Sequence, residues 1–271
     1  AHQRSITKLY KMTLRSWMIK HPDNKTHDKG KVYLFADEFT NYTDVGIGIK
    51  FIKLLRTLGY EVIIPKHVER GRTELSKGFL KRAKGRAEKN IVLLKEIISE
   101  ETPLIGIEPS CILAFRDEYP DLVNENTRED ARRLAANCLL YDEFIVKEIH
   151  KGNITQEQFT DFPLHIKLHG HCHQKSLASI EPSKEMLALP EKYQVDITPS
   201  GGCGMAGAFG YEKEHYALSM QIGEQSLFPA VRQAETEICI SAPGTSCRQQ
   251  IKDGTGRQAY HPIEILYDAL L

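Results

Sequence analysis

The chain has 271 residues, and its 36 Lys and Arg balance its 36 Asp and Glu. Zero net charge argues against a nucleic-acid partner, which would call for a basic excess. Apolar residues make up 41% and charged residues 27% of the chain, the composition of an ordinary globular protein, and no apolar run approaches the roughly 20 residues that span a bilayer. In chain order, residues 1–28 read as a connector. Leu9, Met12, Leu14, Trp17 and Met18 fall on one face of an amphipathic helix, and Lys and Arg interrupt every apolar stretch, unlike a secretory signal. Six runs rich in Val and Ile then read as strands: 31–35, 61–65, 104–107, 165–169, 194–198 and 238–241. Between the first two, Val45, Ile49, Ile52 and Leu55 recur at helical spacing, with Gly59 as a stop. Thr127 with Asp130 marks the start of a long helix reaching to about Ile149, its core stripe formed by Leu134, Cys138, Tyr141 and Ile145. Strands alternating with helices predict an α/β protein with parallel sheets. A boundary near residues 150–163 divides it into a first repeat over 29–155 and a second over 156–271.

Three cysteines lie just beyond predicted strands in the second half: Cys172 in HGHCHQ, Cys203 in GGCGMAG and Cys247 in GTSCRQQ. The first half repeats the layout with most thiols replaced, through Asp37, Glu69 and Arg70 before Gly71, and Cys111 after Glu108. Asp37 to Arg70 spans 33 positions and Cys172 to Cys203 spans 31; Arg70 to Cys111 spans 41 and Cys203 to Cys247 spans 44. In a parallel α/β sheet such positions converge beyond the carboxyl ends of the strands. The pattern predicts two pseudo-symmetric parallel-sheet repeats, the first one degenerate. Six cysteines are too few for a disulfide scaffold, and in a cytoplasmic protein, the expected location here, spaced cysteines more often bind metal or carry out redox chemistry.

Iron–sulfur clusters usually take four thiolates, and structural zinc takes four Cys and His ligands. Three thiols leave one place, for which His171 and His173 are candidates beside water or another side chain. In LHIKLHGHC, Leu164, Ile166 and Leu168 alternate with His165, Lys167, His169 and His171, which puts Cys172 on the apolar face. The competing reading is three separately packed thiols; simple packing is the reading for Cys138 and Cys239. Gly202, Gly204 and Gly207 also spell G-x-G-x-x-G after a strand, a pattern that can hold a pyrophosphate. No acidic residue about 20 positions on ends a second strand to hold a ribose. His261 precedes Pro262 at the start of the last helix, a capping position. Glu108 is a possible partner for Arg70 or Arg72, opposite charges in place of a metal.

The phrases FADEFTNY, GRTELSKGFLKRAK, IEPSC, HGHCHQKSL, GCGMAGAFGYE, GTSCRQQI and HPIEIL resemble the cysteine-rich CCG-type domain. That domain is shared by the cysteine-rich component of heterodisulfide reductase and by the iron–sulfur components of anaerobic glycerol-3-phosphate dehydrogenase and glycolate oxidase. The resemblance is closest to the C-terminal part of fused FAD and iron–sulfur oxidases of the D-lactate dehydrogenase or glycolate oxidase type. It implies an electron-transfer module of a flavin-dependent 2-hydroxy-acid oxidoreductase, inactive on substrate by itself. FAD would lie in an upstream domain, and the partners would be flavin and ferredoxin-like domains of the same polypeptide and an unidentified electron acceptor. Any membrane association would come through a partner. Carried over, Cys172, Cys203, Cys247 and Cys111 match family cysteines, with His171 a further candidate ligand. Asp37, Glu69, Arg70, Glu108, Gly202, Gly204, His173 and His261 line the two sites. Glu69 and Arg70 stand where the family has paired cysteines, and Gly202 stands where it has one more. The implied cofactor is therefore an iron–sulfur cluster on an incomplete thiol set, or zinc. Two alternatives are a docking domain with zinc or no metal, and a dinucleotide-binding domain using Gly202–Gly207.

Overall fold

The computed structural model describes residues 4–271 and is an α/β protein made of two compact units. One comprises Leu9–Phe144; the other comprises Ile145–Leu271 with the N-terminal stretch up to Lys8. The first unit holds β1 (Lys31–Phe35), β2 (Glu61–Ile63), β3 (Leu104–Gly106) and β4 (Cys138–Leu140) in the order β2-β1-β3-β4. The second holds β5 (Leu164–Leu168), β6 (Tyr193–Ile197), β7 (Cys239–Ser241) and β8 (Ala259–Tyr260) in the order β6-β5-β7-β8. Every pairing is parallel. The two orders are the same once each strand is matched to its counterpart, so the pseudo-symmetric repeats expected from the sequence are present in the fold. Parallel neighbours need long crossovers, which the intervening helices supply.

The central strands are apolar because helices cover both faces: Leu34, Phe35, Leu104 and Ile105 are fully buried in the first unit, Ile166 and Leu168 in the second. The helix Val45–Thr57 buries Val45, Phe51, Ile52, Leu54 and Leu55, and Gly59 follows its C-cap Leu58 at φ +98°. A Cβ on Gly48 would stand 2.6 Å from a Leu14 methyl, so this glycine lets the N-terminal helix pack closely.

Two expectations are corrected. The connector helix covers only Leu14–Lys20, capped by the Thr13 hydroxyl; Leu14 and Trp17 are buried, but Leu9 is exposed and Met12 precedes the helix. The long helix is two helices, Glu125–Ala136 and Tyr141–His150, separated by β4. Its N-cap is Asn124, not Thr127. Cys138–Leu140 leave the helical path because they complete the sheet edge, pairing Leu104 with Cys138 and Gly106 with Leu140. Among the described residues, no helix is long and apolar enough to cross a membrane.

Candidate metal centre

In the second unit the loops beyond β5, β6 and β7 bring three donors together. A ring nitrogen of His169 and the thiols of Cys203 and Cys247 all lie within 4.8 Å of one another, and all three residues are buried. His169 is the first residue after β5. Its backbone N–H donates to the Ser241 carbonyl over 2.8 Å, which fixes it at the sheet edge. Its Nδ1 is 2.7 Å from Ser200 Oγ, beyond β6. Its Nε2 is buried with no hydrogen-bond partner among the described residues. An imidazole oriented through one nitrogen with the other left free is the arrangement of a metal-binding histidine.

Cys203 sits in a tight turn whose next residue, Gly204, has φ +91°. A Cβ on Gly204 would stand 2.3 Å from the Ser219 carbonyl oxygen, so only glycine fits there. Cys247 occupies the first turn of the helix Thr245–Thr255, and its thiol donates to Cys203 Sγ over 3.4 Å. This hydrogen bond, with the neighbouring His169 ring and the Met205 backbone N–H, holds the Cys203 thiol well below the ordinary range despite burial. A thiolate is thus favoured where a soft cation needs one.

Cys172 starts the helix Cys172–Leu177 and is exposed, so it does not continue the buried face of β5. The strand ends at Leu168, and the turn through Gly170 breaks the alternation. Cys172 still borders the cluster, because a Cβ on Gly202 would lie 3.1 Å from its Sγ. Burial, then the neighbouring Cys203 charge, push its thiol up, against Lys175. His171 caps the same helix with Nδ1, accepting from the His173 backbone N–H. A Cβ on Gly244 would meet the His171 ring at 2.4 Å and Cys247 Sγ at 3.2 Å, so His171 lies along the rim. The His173 ring is exposed and stacked on His171 at 5.7 Å. His261 caps the helix Pro262–Asp268, accepting from Ile263 N–H in a capping box with Glu264. Gly202–Gly207 lead into short 3-10 turns, and the next α-helix begins only at Tyr216, so the glycine loop lacks the adjoining helix N-terminus that a pyrophosphate would use.

The first unit gathers Cys111 with Asp37 and Glu38 within the same 4.8 Å. Asp37 caps the helix Glu38–Tyr42, accepting from Phe39 and Thr40 N–H and from the Thr40 hydroxyl. Burial, with Glu38 beside it, raises its carboxyl to about 7. Burial, then Asp37 and Glu38, push the Cys111 thiol far up, against Arg70. Arg70 precedes Gly71, whose φ of +89° matches that of Gly204. Its side chain is 1% exposed and 3.8 Å from Glu118; Arg72 pairs with Glu38 at 3.3 Å, while Glu108 caps the helix Pro109–Arg116. Glu69 is exposed and pairs with Arg86. A guanidinium occupies the turn where the second unit carries a thiol, and the buried Asp37 carboxyl and Cys111 thiol favour holding protons. This donor set does not fit a soft cation.

His169 is the donor that reading the sequence missed, since alternation assigned it to the polar face with His165 and Lys167. The available signal was its place, first beyond the carboxyl end of a central strand.

Known relatives cover the chain almost end to end. It is 27% identical over 271 residues, 99% of this chain, to a component of the anaerobic glycerol-3-phosphate dehydrogenase of Escherichia coli (strain K12). It is 27% and 28% identical, over 88% of its length, to the D-2-hydroxyglutarate dehydrogenases of Escherichia coli (strain K12) and Haemophilus influenzae. The chain spans 66% of the first relative and under a quarter of the other two. It matches no family model. The resemblance drawn from its sequence phrases is borne out by this coverage: the homologues are consistent with the C-terminal region of the FAD and iron–sulfur oxidase type.

Proposed function

We propose that this chain is the cysteine-rich electron-transfer module of a flavin-dependent oxidoreductase acting on a 2-hydroxy acid of the D-lactate or glycolate type. Its metal centre lies in the second unit, on Cys203, Cys247 and His169, with Cys172 or His171 completing the set at the rim. The observation that carries the reading is a buried ring nitrogen of His169 within 4.8 Å of two buried thiols, one of them held toward its thiolate form. An iron–sulfur cluster, when bound, supplies one-electron chemistry. The chain's own residues keep water from the Cys203 and Cys247 thiols by burial, orient His169 through Ser200, and direct the Met205 and Cys203 backbone N–H groups at the sulfurs of Cys203 and Cys172. Such hydrogen bonds to sulfur set reduction potential. The similarity to two kinds of dehydrogenase supports an oxidoreductase role, and the partial coverage of those relatives supports a larger assembly that provides the FAD domain. The first unit serves as a folded counterpart without metal.

A structural zinc ion is the second reading, favoured by the imidazole in the donor set, because three Cys and one His make a common zinc set. Anaerobic purification of the full-length protein followed by iron, sulfide and zinc analysis separates the two. Iron and sulfide with broad visible absorbance support electron transfer, zinc alone supports the structural reading, and neither metal refutes both.

A further inference from the structure

A buried arginine far from the thiols in sequence connects the two elements that carry them. Arg4 is 6% exposed. Its Nε donates to the Gly210 carbonyl over 3.0 Å. Its Nη1 reaches Gln250 Oε1 at 2.5 Å and Asp253 at 3.2 Å, and its Nη2 reaches Ser219 Oγ at 3.2 Å. The guanidinium also lies 5.0 Å from the Tyr216 ring centroid.

These acceptors belong to the supports of the site. Gln250 and Asp253 stand on the helix Thr245–Thr255, one and two turns after Cys247. Gly210 closes the Cys203 loop, its N–H donating to the Met205 carbonyl over 2.9 Å, while Met205 N–H points back at Cys203 sulfur. Gln250 Nε2 donates to the Ser219 carbonyl over 2.9 Å, the oxygen against which Gly204 packs. Ser219, Gln250 and Met205 are fully buried. A rigid, five-donor fork suits four acceptors on three elements, which a lysine ammonium could not span.

We infer that Arg4 is a positioning residue for the Cys203–Cys247 pair, bracing the Cys203 loop against the Cys247 helix. As a statement about metal ligands this rests on the proposed metal centre; as a statement about thiol placement it stands alone. The test uses full-length protein and Arg4→Ala, each stripped of metal with a chelator under anaerobic reducing conditions and alkylated with iodoacetamide, with labelling rates per cysteine read by mass spectrometry. Cys203 labelling is expected to rise about 10-fold or more, the factor by which losing a charge-assisted hydrogen bond shifts a local opening equilibrium, with Cys239 of the same unit unchanged. Arg4→Lys keeps charge and bulk if the alanine variant fails to fold, and the same selective rise is expected. Unchanged Cys203 labelling, or equal rises at Cys203 and Cys239, would overturn the inference. Metal content of the untreated proteins is measured in parallel. A wild-type protein without metal counts against the proposed function alone, while the labelling pattern still decides the role of Arg4.

Discussion

Replacing Gly204 by alanine tests the turn that presents Cys203. Two costs follow from the geometry. At φ +91° an L-residue is in left-handed territory, at roughly 1–2 kcal/mol. The added Cβ would also stand 2.3 Å from the Ser219 carbonyl oxygen. That atom is backbone at the start of the helix Tyr216–Gln225 and accepts from Gln250, so relief requires moving the loop or the helix, roughly another 1–3 kcal/mol as for other overpacking. The expected destabilisation is about 2–5 kcal/mol. At about 2–4 °C per kcal/mol for a domain of this size, the melting transition should fall by several degrees to more than ten. Gly202→Ala is the control: its φ is not in the left-handed region, and its Cβ meets only the Cys172 thiol at 3.1 Å, so its expected cost is below about 1 kcal/mol. Calorimetry of both variants decides. A Gly204→Ala protein melting within about 2 °C of wild type would refute the account of the turn.

Cys203→Ser in the full-length protein is expected to abolish metal retention, and Cys111→Ser to leave it near the wild-type level; equal losses in metal analysis would sink the assignment to the second unit. The first unit should show compensating acid titrations. Asp37 is raised from 3.8 to about 7 by burial and the adjacent Glu38, so its contribution is present at low pH and is lost as pH rises through 7. His67 is lowered from 6.5 to about 3 by burial and by Arg15, so its contribution is present above 6.5 and is lost as pH falls toward 3. The slopes oppose between pH 4 and 6.5. Asp37→Asn keeps an acceptor for the helix cap but removes one titration, so stability should then fall with acidification by up to about 1.4 kcal/mol per pH unit. Denaturant melts showing a pH-independent Asp37→Asn protein across that window would contradict this.

The sheets and the loops that carry the site were legible because period and repetition are local signals. Six strands showed as Val- and Ile-rich runs, and the two halves confirmed each other through matching spacings. β4 and β8 were not legible, for a physical reason. A strand of two or three residues at a sheet edge has no period, and Leu134, Cys138 and Tyr141 satisfy a helical stripe as well as they satisfy burial on two different elements. What selects the strand is pairing with β3, a contact between residues more than thirty positions apart. Cys203, Cys247 and Gly204 were readable from their glycine-rich phrase and its duplicate. His169 was not, because the alternation that holds inside β5 ends one residue before it. Arg4 has no local signature, since its acceptors lie more than two hundred positions away.

The two units show how one backbone turn serves opposite chemistry. Arg70–Gly71 and Cys203–Gly204 share a left-handed glycine after the residue that points inward. In the second unit the inward group is a thiol favoured as an anion, beside another thiol and an imidazole, and a cation would complete it. In the first unit the inward group is itself a cation, and Glu118 supplies the opposite charge. Burying a fixed charge is tolerable only when it is paired, so replacement of the thiol by arginine requires an acid nearby, and it is there. The braces differ as well. Tyr119 donates its hydroxyl to the Arg70 carbonyl and accepts from Asn90, all within the first unit. The Cys203 turn relies on Gln250, Ser219 and Arg4. The first turn therefore holds its shape through its own side chains and a fixed charge. The second depends on a residue delivered from the N-terminal stretch, which is why Arg4 is where the thiol pair is most exposed to disturbance from outside the site.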